Sequence, residues 1–295
     1  MTVADVALVA VTLLAVGYLF IVALTLLPAT AATGRQVLPV LNTEAIIAVV
    51  GLSVFLAPPV LRVALLAAMA ARIVWEAASV AALRLPGERR AIWHIAAVAA
   101  GAAVAAFGML SQLPWHLALP GLLLLGAGLL VAACLPDRPL VRLAGEVGLF
   151  PGLPVGLFIV AAMTEERLVV LLVVLILVET FDSYALLGGK LFGRRPAFPR
   201  LSPRKTVEGL VAGGAMLLVT AVALSWATGV APIGVAAGMA LAVGLASVIG
   251  DLAASRIKRA SGVKDFPSIM RHQGGLLDIT DAGIVAGAML ALVPV

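Results

Sequence analysis

The sequence predicts an all-α protein, a polytopic transmembrane helical bundle of about eight to ten spans. Three observations predict it. Hydrophobic residues fill 63% of the 295 positions and charged residues only 12%, where a soluble globule carries about 25% charged residues. Mean hydropathy is +1.16. The apolar residues also gather into runs near the roughly 20 residues that a bilayer-crossing helix needs. This composition excludes water-soluble, disordered, collagen-like and coiled-coil classes. The single cysteine, Cys134, cannot pair within the chain, which excludes a disulfide scaffold.

Ten candidate spans run 4–29, 44–57, 60–84, 91–110, 117–135, 143–163, 167–189, 207–228, 231–254 and 279–295. The first has no basic n-region and too long an apolar run for a cleaved signal, so it is expected to stay as an anchor. The second is short, and Pro58-Pro59 separates it from the third. These two read either as separate crossings or as a re-entrant pair, which would leave eight. Alternate connections hold every Lys and Arg except Arg62, Arg72 and Arg167. Basic residues stay in the cytoplasm, so this asymmetry predicts cytoplasmic basic loops with both ends of the chain outside.

Two of those loops are long, near 190–206 and 252–278. Long connections in a compact bundle usually carry function, and the chemistry is expected there. The corresponding division is residues 1–165 as N-terminal transmembrane helices and 166–295 as the catalytic region. The net charge of +5 fits attraction to anionic membrane lipids, and no nucleic-acid-binding motif accompanies it.

Acidic residues inside spans are costly and mark candidate sites. Glu179 and Asp182 share a face of the seventh span, Asp251 lies near the end of the ninth, and Asp278 and Asp281 open the tenth. Such carboxylates suit a hard divalent cation such as Mg²⁺. They equally suit helix caps or partners for nearby cations, and spacing alone leaves both open. Glu76 and Glu146 read first as satisfying an interhelical hydrogen bond or neutralising Arg72 or Arg142. His94, His116 and His272 lack metal-ligand spacing, and Gly188-Gly189-Lys190 is not a P-loop. The stretch Leu201–Gly209 offers two cations and two hydroxyls beside a helix start, a place that favours anions. Ser255–Arg259 and Lys264-Asp265 repeat the theme, as expected for a phosphorylated substrate held through a metal. A patch that merely rests on lipid headgroups is the plainer reading.

Several elements occur in a fixed order. They are Asp182-Ser-Tyr184, Gly189-Lys-Leu-Phe-Gly193, and Ser202-Pro-Arg-Lys205-Thr206-Val-Glu208-Gly209. Gly250-Asp251 follows, then Ser255-Arg-Ile-Lys258-Arg259-Ala-Ser-Gly-Val-Lys264-Asp265 and Gly274-Gly275-Leu-Leu-Asp278-Ile-Thr-Asp281. In these residues the chain resembles the phosphatidate cytidylyltransferase (CDP-diacylglycerol synthase) family of integral membrane enzymes, with the match covering about 170–295. Trp75-Glu76 resembles a family W-E pair. Departures are Gln273 where the family has His, Ile279 where it has Arg, Phe266-Pro267 for a small pair, and Phe181 before Asp182.

The resemblance implies transfer of CMP from CTP to phosphatidate, giving CDP-diacylglycerol and pyrophosphate. It implies Mg²⁺, with a monovalent cation such as K⁺ as a further candidate. Asp251 and Asp278 are the implied principal metal ligands, with Asp281 and Asp182 in or beside them. Lys258, Arg259, Lys264 and Asp265 form the implied catalytic set, Asp265 orienting Lys264 or a bound cation. Lys205, Ser202, Thr206, Ser255, Gly274 and Gly275 are the implied substrate-binding residues. The expected location is a bacterial-type inner membrane with a cytoplasmic site. A related lipid phosphate as substrate, or a non-catalytic paralogue or anion transporter, are the alternatives. Gly209 and Gly213 form a G-x-x-x-G pair that predicts close helix packing within the chain or in a homodimer.

Overall fold

The computed structural model describes residues 3–28, 30–229, 231–269 and 274–293. His272 and Gln273, two of the positions singled out above, lie outside the described residues. In lipid every backbone N–H and C=O must be satisfied internally, and the apolar runs accordingly form helices. In chain order these are α1 (Val3–Leu26), α2 (Ala31–Leu56), α3 (Pro59–Ala82), α4 (Glu88–Gln112), α5 (Trp115–Ala133), α6 (Pro139–Val147) and α7 (Leu153–Ala161). Then follow α8 (Glu165–Phe192), the strands β1 (Pro196–Phe198) and β2 (Ser202–Thr206), α9 (Val207–Thr228), α10 (Ile233–Ala260) and α11 (Leu276–Ala291). A kink at Gly148–Gly152, where Phe150 is extended (φ −146°, ψ 123°), joins α6 to α7, and together they make one apolar segment, Pro139–Ala161. Among the described residues, 8 helical segments are long and apolar enough to cross a membrane. The chain is an integral membrane protein.

Three boundaries differ from the expected spans. Helix α2 begins at Ala31, so the stretch 30–43 is helical rather than a loop. Its Val37, Leu38 and Leu41 supply an apolar face that packs on Ile21, Leu24 and Leu187, and that packing carries the helix through Pro39. Helix α10 continues to Ala260, which puts Ser255, Lys258 and Arg259 on a helix. Nothing in 233–260 after Pro232 breaks the helix, and the chain leaves it at Gly262, whose φ of +72° suits the left-handed turn that ends helices. The 190–206 connection is ordered rather than irregular: α8 reaches Phe192, and a two-stranded antiparallel hairpin pairs Pro196 with Thr206 and Phe198 with Ser202.

The chain forms two compact units, each discontinuous in sequence. One holds the chain up to Arg62 together with Leu168–Gly244; the other holds Val63–Arg167 together with the chain from Leu245 onward. One crossing between units, at 167/168, falls beside the 165/166 division read from the sequence, while those at 62/63 and 244/245 interleave the two.

In the first unit α1 packs on α2, and α8 meets α9 through glycines. A Cβ at Gly213 would stand 2.7 Å from the Phe181 carbonyl oxygen and 2.9 Å from the Ala185 Cβ. One at Gly209 would stand 2.5 Å from the Ala185 carbonyl oxygen. The G-x-x-x-G pair is thus used within the chain. In the second unit a core of Ile73, Ala77 and Val80 (α3), Ile95 and Ala99 (α4), Leu143 and Val147 (α6), Ile257 (α10) and Leu277 and Ile284 (α11) is buried. Helix α7 lies on α4, where Gly152 and Gly156 face the backbone of Ala99 and Ala103.

Neighbouring glycines in α9 make this packing testable. A Cβ at Gly214 meets nothing within 4 Å. Gly213→Leu should cost about 1–3 kcal/mol by overpacking and lower the thermal unfolding midpoint of the detergent-solubilised protein. Gly214→Leu should leave the midpoint near that of the wild type.

Candidate functional site

The start of α11 organises the second unit's polar groups. Gly274 takes φ +76°, and a Cβ there would strike the Asp278 carboxylate. The left-handed turn therefore needs glycine on two counts. It brings the chain into α11 with Asp278 in the first turn, where backbone N–H groups lack helical acceptors and the dipole favours a negative charge. Asp278 turns back on this turn. Its Oδ2 accepts from the Gly275 N–H at 2.9 Å and the Phe266 N–H at 2.8 Å. Its Oδ1 accepts from Lys258 Nζ at 2.5 Å. Both side chains are largely buried, 11% exposed for Lys258 and 9% for Asp278. The Lys258 ammonium also lies 5.2 Å from the centre of the buried Phe266 ring, an arrangement that favours the cation.

A second carboxylate reaches the same turn from far away in sequence. Glu76, on α3, is fully buried. Its Oε1 accepts from the Leu276 N–H at 3.0 Å and its Oε2 from the Leu277 N–H at 2.8 Å. Arg72 Nε, one helical turn before it, donates to Oε1 at 2.7 Å. The same guanidinium donates to the Pro267 carbonyl at 3.0 Å and lies 4.8 Å from the centre of the Trp75 ring. A buried charge is tolerated only when paired and hydrogen-bonded, and Glu76 is both. Gly275 leaves it room, since a Cβ there would collide with Glu76 Oε2. Glu76 and Asp278 together take the N–H groups of Gly275, Leu276 and Leu277.

The end of α10 carries the next residues. Asp251, Ser255 and Lys258, spaced four and three apart, share one face of the helix. Gly250 lets α10 touch α11, because a Cβ at that position would collide with the Asp281 carbonyl. Asp281 is buried, and its Oδ1 accepts from the Ala282 N–H at 2.7 Å. Arg259 donates from Nη1 to the Val263 carbonyl at 3.1 Å. Lys264 and Asp265 stand 3.9 Å apart with more than half of each side chain exposed. Among the described residues no group of three or more His, Cys, Asp or Glu side chains forms a metal-binding cluster. Asp251 follows Gly250 on α10 and Asp281 lies on α11, and their carboxylates supply only oxygen donors. That donor chemistry fits Mg²⁺, which commonly takes one or two carboxylates and completes its sphere with water and phosphate.

The first unit gathers the remaining candidates. Lys205 Nζ lies 4.0 Å from Asp182 Oδ1. Thr206 caps α9, its Oγ1 accepting from the Gly209 N–H at 3.1 Å. Glu208 Oε2 accepts from the N–H groups of Arg194 and Arg195 at 3.0 and 3.2 Å, which ties the hairpin to α9. Ser202 pairs with Phe198 in the hairpin. Asp182, Ser202, Lys205 and Thr206 therefore belong to one unit, and the candidates from Asp251 to Asp281 to the other.

The expected pairing of Glu76 with Arg72 is present. Glu146 takes the other expected form, a bond across helices: it meets Arg84 at 2.8 Å and approaches Arg142 to 3.9 Å. Arg84 is the better placed because it also donates to Ser261 Oγ at 2.9 Å and the Ile257 carbonyl at 3.1 Å, closing the end of α10. Sequence reasoning missed three contributors: Glu76 as the anchor of α11, Phe266 as a partner of both Asp278 and Lys258, and Arg84 as the clasp of α10. The readable signal was the buried acid in an apolar span for Glu76 and the position just after Lys264-Asp265 for Phe266. Arg84 gave none.

Removing the anchor has a defined cost. Glu76→Ala strands two buried N–H groups and Arg72, and breaking such a pair costs about 3–5 kcal/mol. Glu76→Gln keeps an acceptor oxygen and should lose less. Thermal unfolding in detergent should rank wild type above Gln above Ala.

Comparison with known proteins bears on the same residues. The chain is 41% identical over 112 residues to phosphatidate cytidylyltransferase 5, chloroplastic, of Arabidopsis thaliana, covering 37% of this chain and 27% of that protein. It is 37% identical over 112 residues to the phosphatidate cytidylyltransferase of Aquifex aeolicus, covering 38% and 42%. With the Haemophilus influenzae phosphatidate cytidylyltransferase it shares 38% identity over 124 residues, covering 39% and 42%. The matched stretch thus spans less than half the length of each of these relatives. The model of the cytidylyltransferase family matches residues 39–294, which take in Glu76, the hairpin, the face of α10 and the capped start of α11. With nearly the whole described fold inside that match, the chain belongs to the cytidylyltransferase family.

Proposed function

We propose that the chain transfers CMP from CTP to phosphatidate, giving CDP-diacylglycerol and pyrophosphate, at a site on the cytoplasmic face of a bacterial-type inner membrane. The observation that carries this reading is the Lys258 ammonium, held on Asp278 at the start of α11 and largely withdrawn from water. A phosphate monoester is already an anion near neutral pH, so an oxygen of the lipid phosphate can attack the α-phosphorus of CTP with little help from a base. The new P–O bond forms as the bond to the β-phosphate oxygen breaks, and pyrophosphate leaves with the electron pair. The barrier lies in bringing two anions together and stabilising the charge that develops on the leaving group, which is electrostatic work.

Lys258 is the residue we assign to that work. On arrival of a phosphate its ammonium exchanges Asp278 for a phosphate oxygen, while Asp278 stays anchored through the Gly275 and Phe266 N–H groups. Arg259 and Lys264, both more exposed, receive the triphosphate from water, and Asp265 keeps Lys264 turned toward it. Ser255, on the same face as Lys258, adds a hydroxyl. Lys205, beside Asp182, and Ser202, in the hairpin, are the phosphate-binding candidates of the other unit, taken by itself. Asp251 and Asp281 would hold Mg²⁺, with Asp278 as a further carboxylate that could contribute to it. When bound, the ion supplies charge neutralisation on the phosphates and the departing pyrophosphate. The membrane setting suits the substrates, since acyl chains stay in lipid while CTP arrives from water.

Ile279, one residue after Asp278, supports a second reading in which the acceptor is a different lipid phosphate. The purified protein in detergent should release pyrophosphate from CTP only when phosphatidate and Mg²⁺ are both present. Lys258→Met should lower turnover by about two orders of magnitude, the scale of losing one charge-stabilising group, and should also lower the unfolding midpoint, because Asp278 loses its buried cation. A panel of isoprenoid and glycerolipid phosphates separates the readings: turnover with phosphatidate removes the second, and turnover only with another member removes the first. No pyrophosphate from any member removes both.

A further inference from the structure

Helix α10 carries a further cation on its opposite side. Arg256 and Ala260, four apart, point away from the face that carries Asp251, Ser255 and Lys258. On that side the second unit has a cleft of about 330 Å³ whose wall includes Arg84, Arg142, Arg256, Glu146 and Cys134. Its wall comes from the ends of α3, α5 and α10 and from α6.

The charges in this cleft are unequal in kind. Arg84 is spoken for: it meets Glu146 at 2.8 Å, Ser261 Oγ and the Ile257 carbonyl. Arg142 comes no nearer than 3.9 Å to Glu146, and its Nε is closed off from water with no hydrogen bond among the described residues. Arg256 is exposed and forms no ion pair among the described residues. Three guanidiniums thus face one carboxylate, and that carboxylate is engaged by the arginine that holds the wall together. The cleft carries a positive excess from two side chains whose planar forks match phosphate oxygens. A basic lipid-surface patch needs only charge. Here the cations converge on a concave space lined by helices distant in sequence, at the helix ends that carry the basic connections, where headgroups lie.

We infer that this cleft is a phosphate-binding site separate from the Lys258–Asp278 site, in which Arg142 and Arg256 grip one phosphate group. The group comes either from the headgroup of an anionic phospholipid or from a soluble phosphate monoester. The site does not depend on the proposed reaction, because its occupancy is read without turnover.

Cys134, the chain's single cysteine, is exposed and lies on the wall of the cleft, so it reports on the site in the unaltered protein. A sulfonate-bearing methanethiosulfonate should modify Cys134 several-fold faster than the trimethylammonium reagent of similar size. In nanodiscs, phosphatidylglycerol in place of phosphatidylcholine should slow that modification if the ligand is a lipid headgroup. Glycerol 3-phosphate added in phosphatidylcholine nanodiscs should slow it if the ligand is soluble. Arg142→Gln combined with Arg256→Gln should weaken the protecting ligand by about tenfold or more, the worth of one charge-assisted hydrogen bond. Pyrophosphate release should stay at the wild-type level. Equal rates for the two reagents, with no protection by either phosphate source, would overturn the inference. So would protection of the same strength in the double variant.

Discussion

A helix that begins inside a membrane protein presents N–H groups that water cannot reach, and this protein answers that constraint with carboxylates. The first turn of α11 is closed by Glu76 from α3 and by Asp278 from α11 itself. Everything else at the end of α10 follows from where those two acids sit. Glu76 fixes Leu276 and Leu277, and so fixes the turn at Gly274-Gly275. That turn aims Asp278 at Phe266 and Lys258. Arg72 neutralises Glu76 and at the same time holds the Pro267 carbonyl, so the connection before α11 is tied to the same carboxylate. One buried acid on α3 thereby sets the position of an ammonium on α10.

The first unit solves a related problem with small residues. Its hairpin must fold tightly against the end of α8 and the start of α9, and a side chain at Gly193 would collide with the Gly189 carbonyl. Glycine at 188, 189, 193, 209 and 213 lets the two helices and the hairpin approach to backbone contact. Thr206 then caps α9 and Glu208 collects the two N–H groups that open the hairpin. The residues expected to touch substrate here, Lys205 and Thr206, are bound up with this local architecture. Their spacing in the sequence is the spacing of a strand that ends in a helix cap.

The apolar runs were legible because bilayer thickness imposes a length on them, and composition alone gave the class. Ends were less legible. Helix α2 reaches back to Ala31 because Val37, Leu38 and Leu41 find partners on α1 and α8, and no property of residues 30–43 by themselves announces those partners. Helix α10 outruns its apolar segment because Arg84 clasps its last turn, from a position far upstream. In the site, the acids and lysines were legible as residue types in a recognisable order, and their partners were not. Glu76 lies 200 residues from Leu276 in sequence. Phe266 departs from the family pattern, and only the fold gives it a purpose, as the source of the N–H that Asp278 takes and the ring beneath Lys258.

The second unit also divides its cations by shape. Arg72 and Arg84 each make several fixed bonds, Arg72 to Glu76 and the Pro267 carbonyl, Arg84 to Glu146, Ser261 and the Ile257 carbonyl. A planar guanidinium suits that task, since its donors are rigidly placed and the charge is never lost. At 258 the chain has a lysine, a point charge on a flexible stem with a single carboxylate partner. Moving it breaks one ion pair and the contact with the Phe266 ring, where moving either arginine would break an ion pair and further hydrogen bonds. Asp278 keeps two backbone donors after such a move, so the carboxylate is not stranded. The cation held by the fewest bonds is therefore the one that faces Asp278, while those held by several tie the helices around it together.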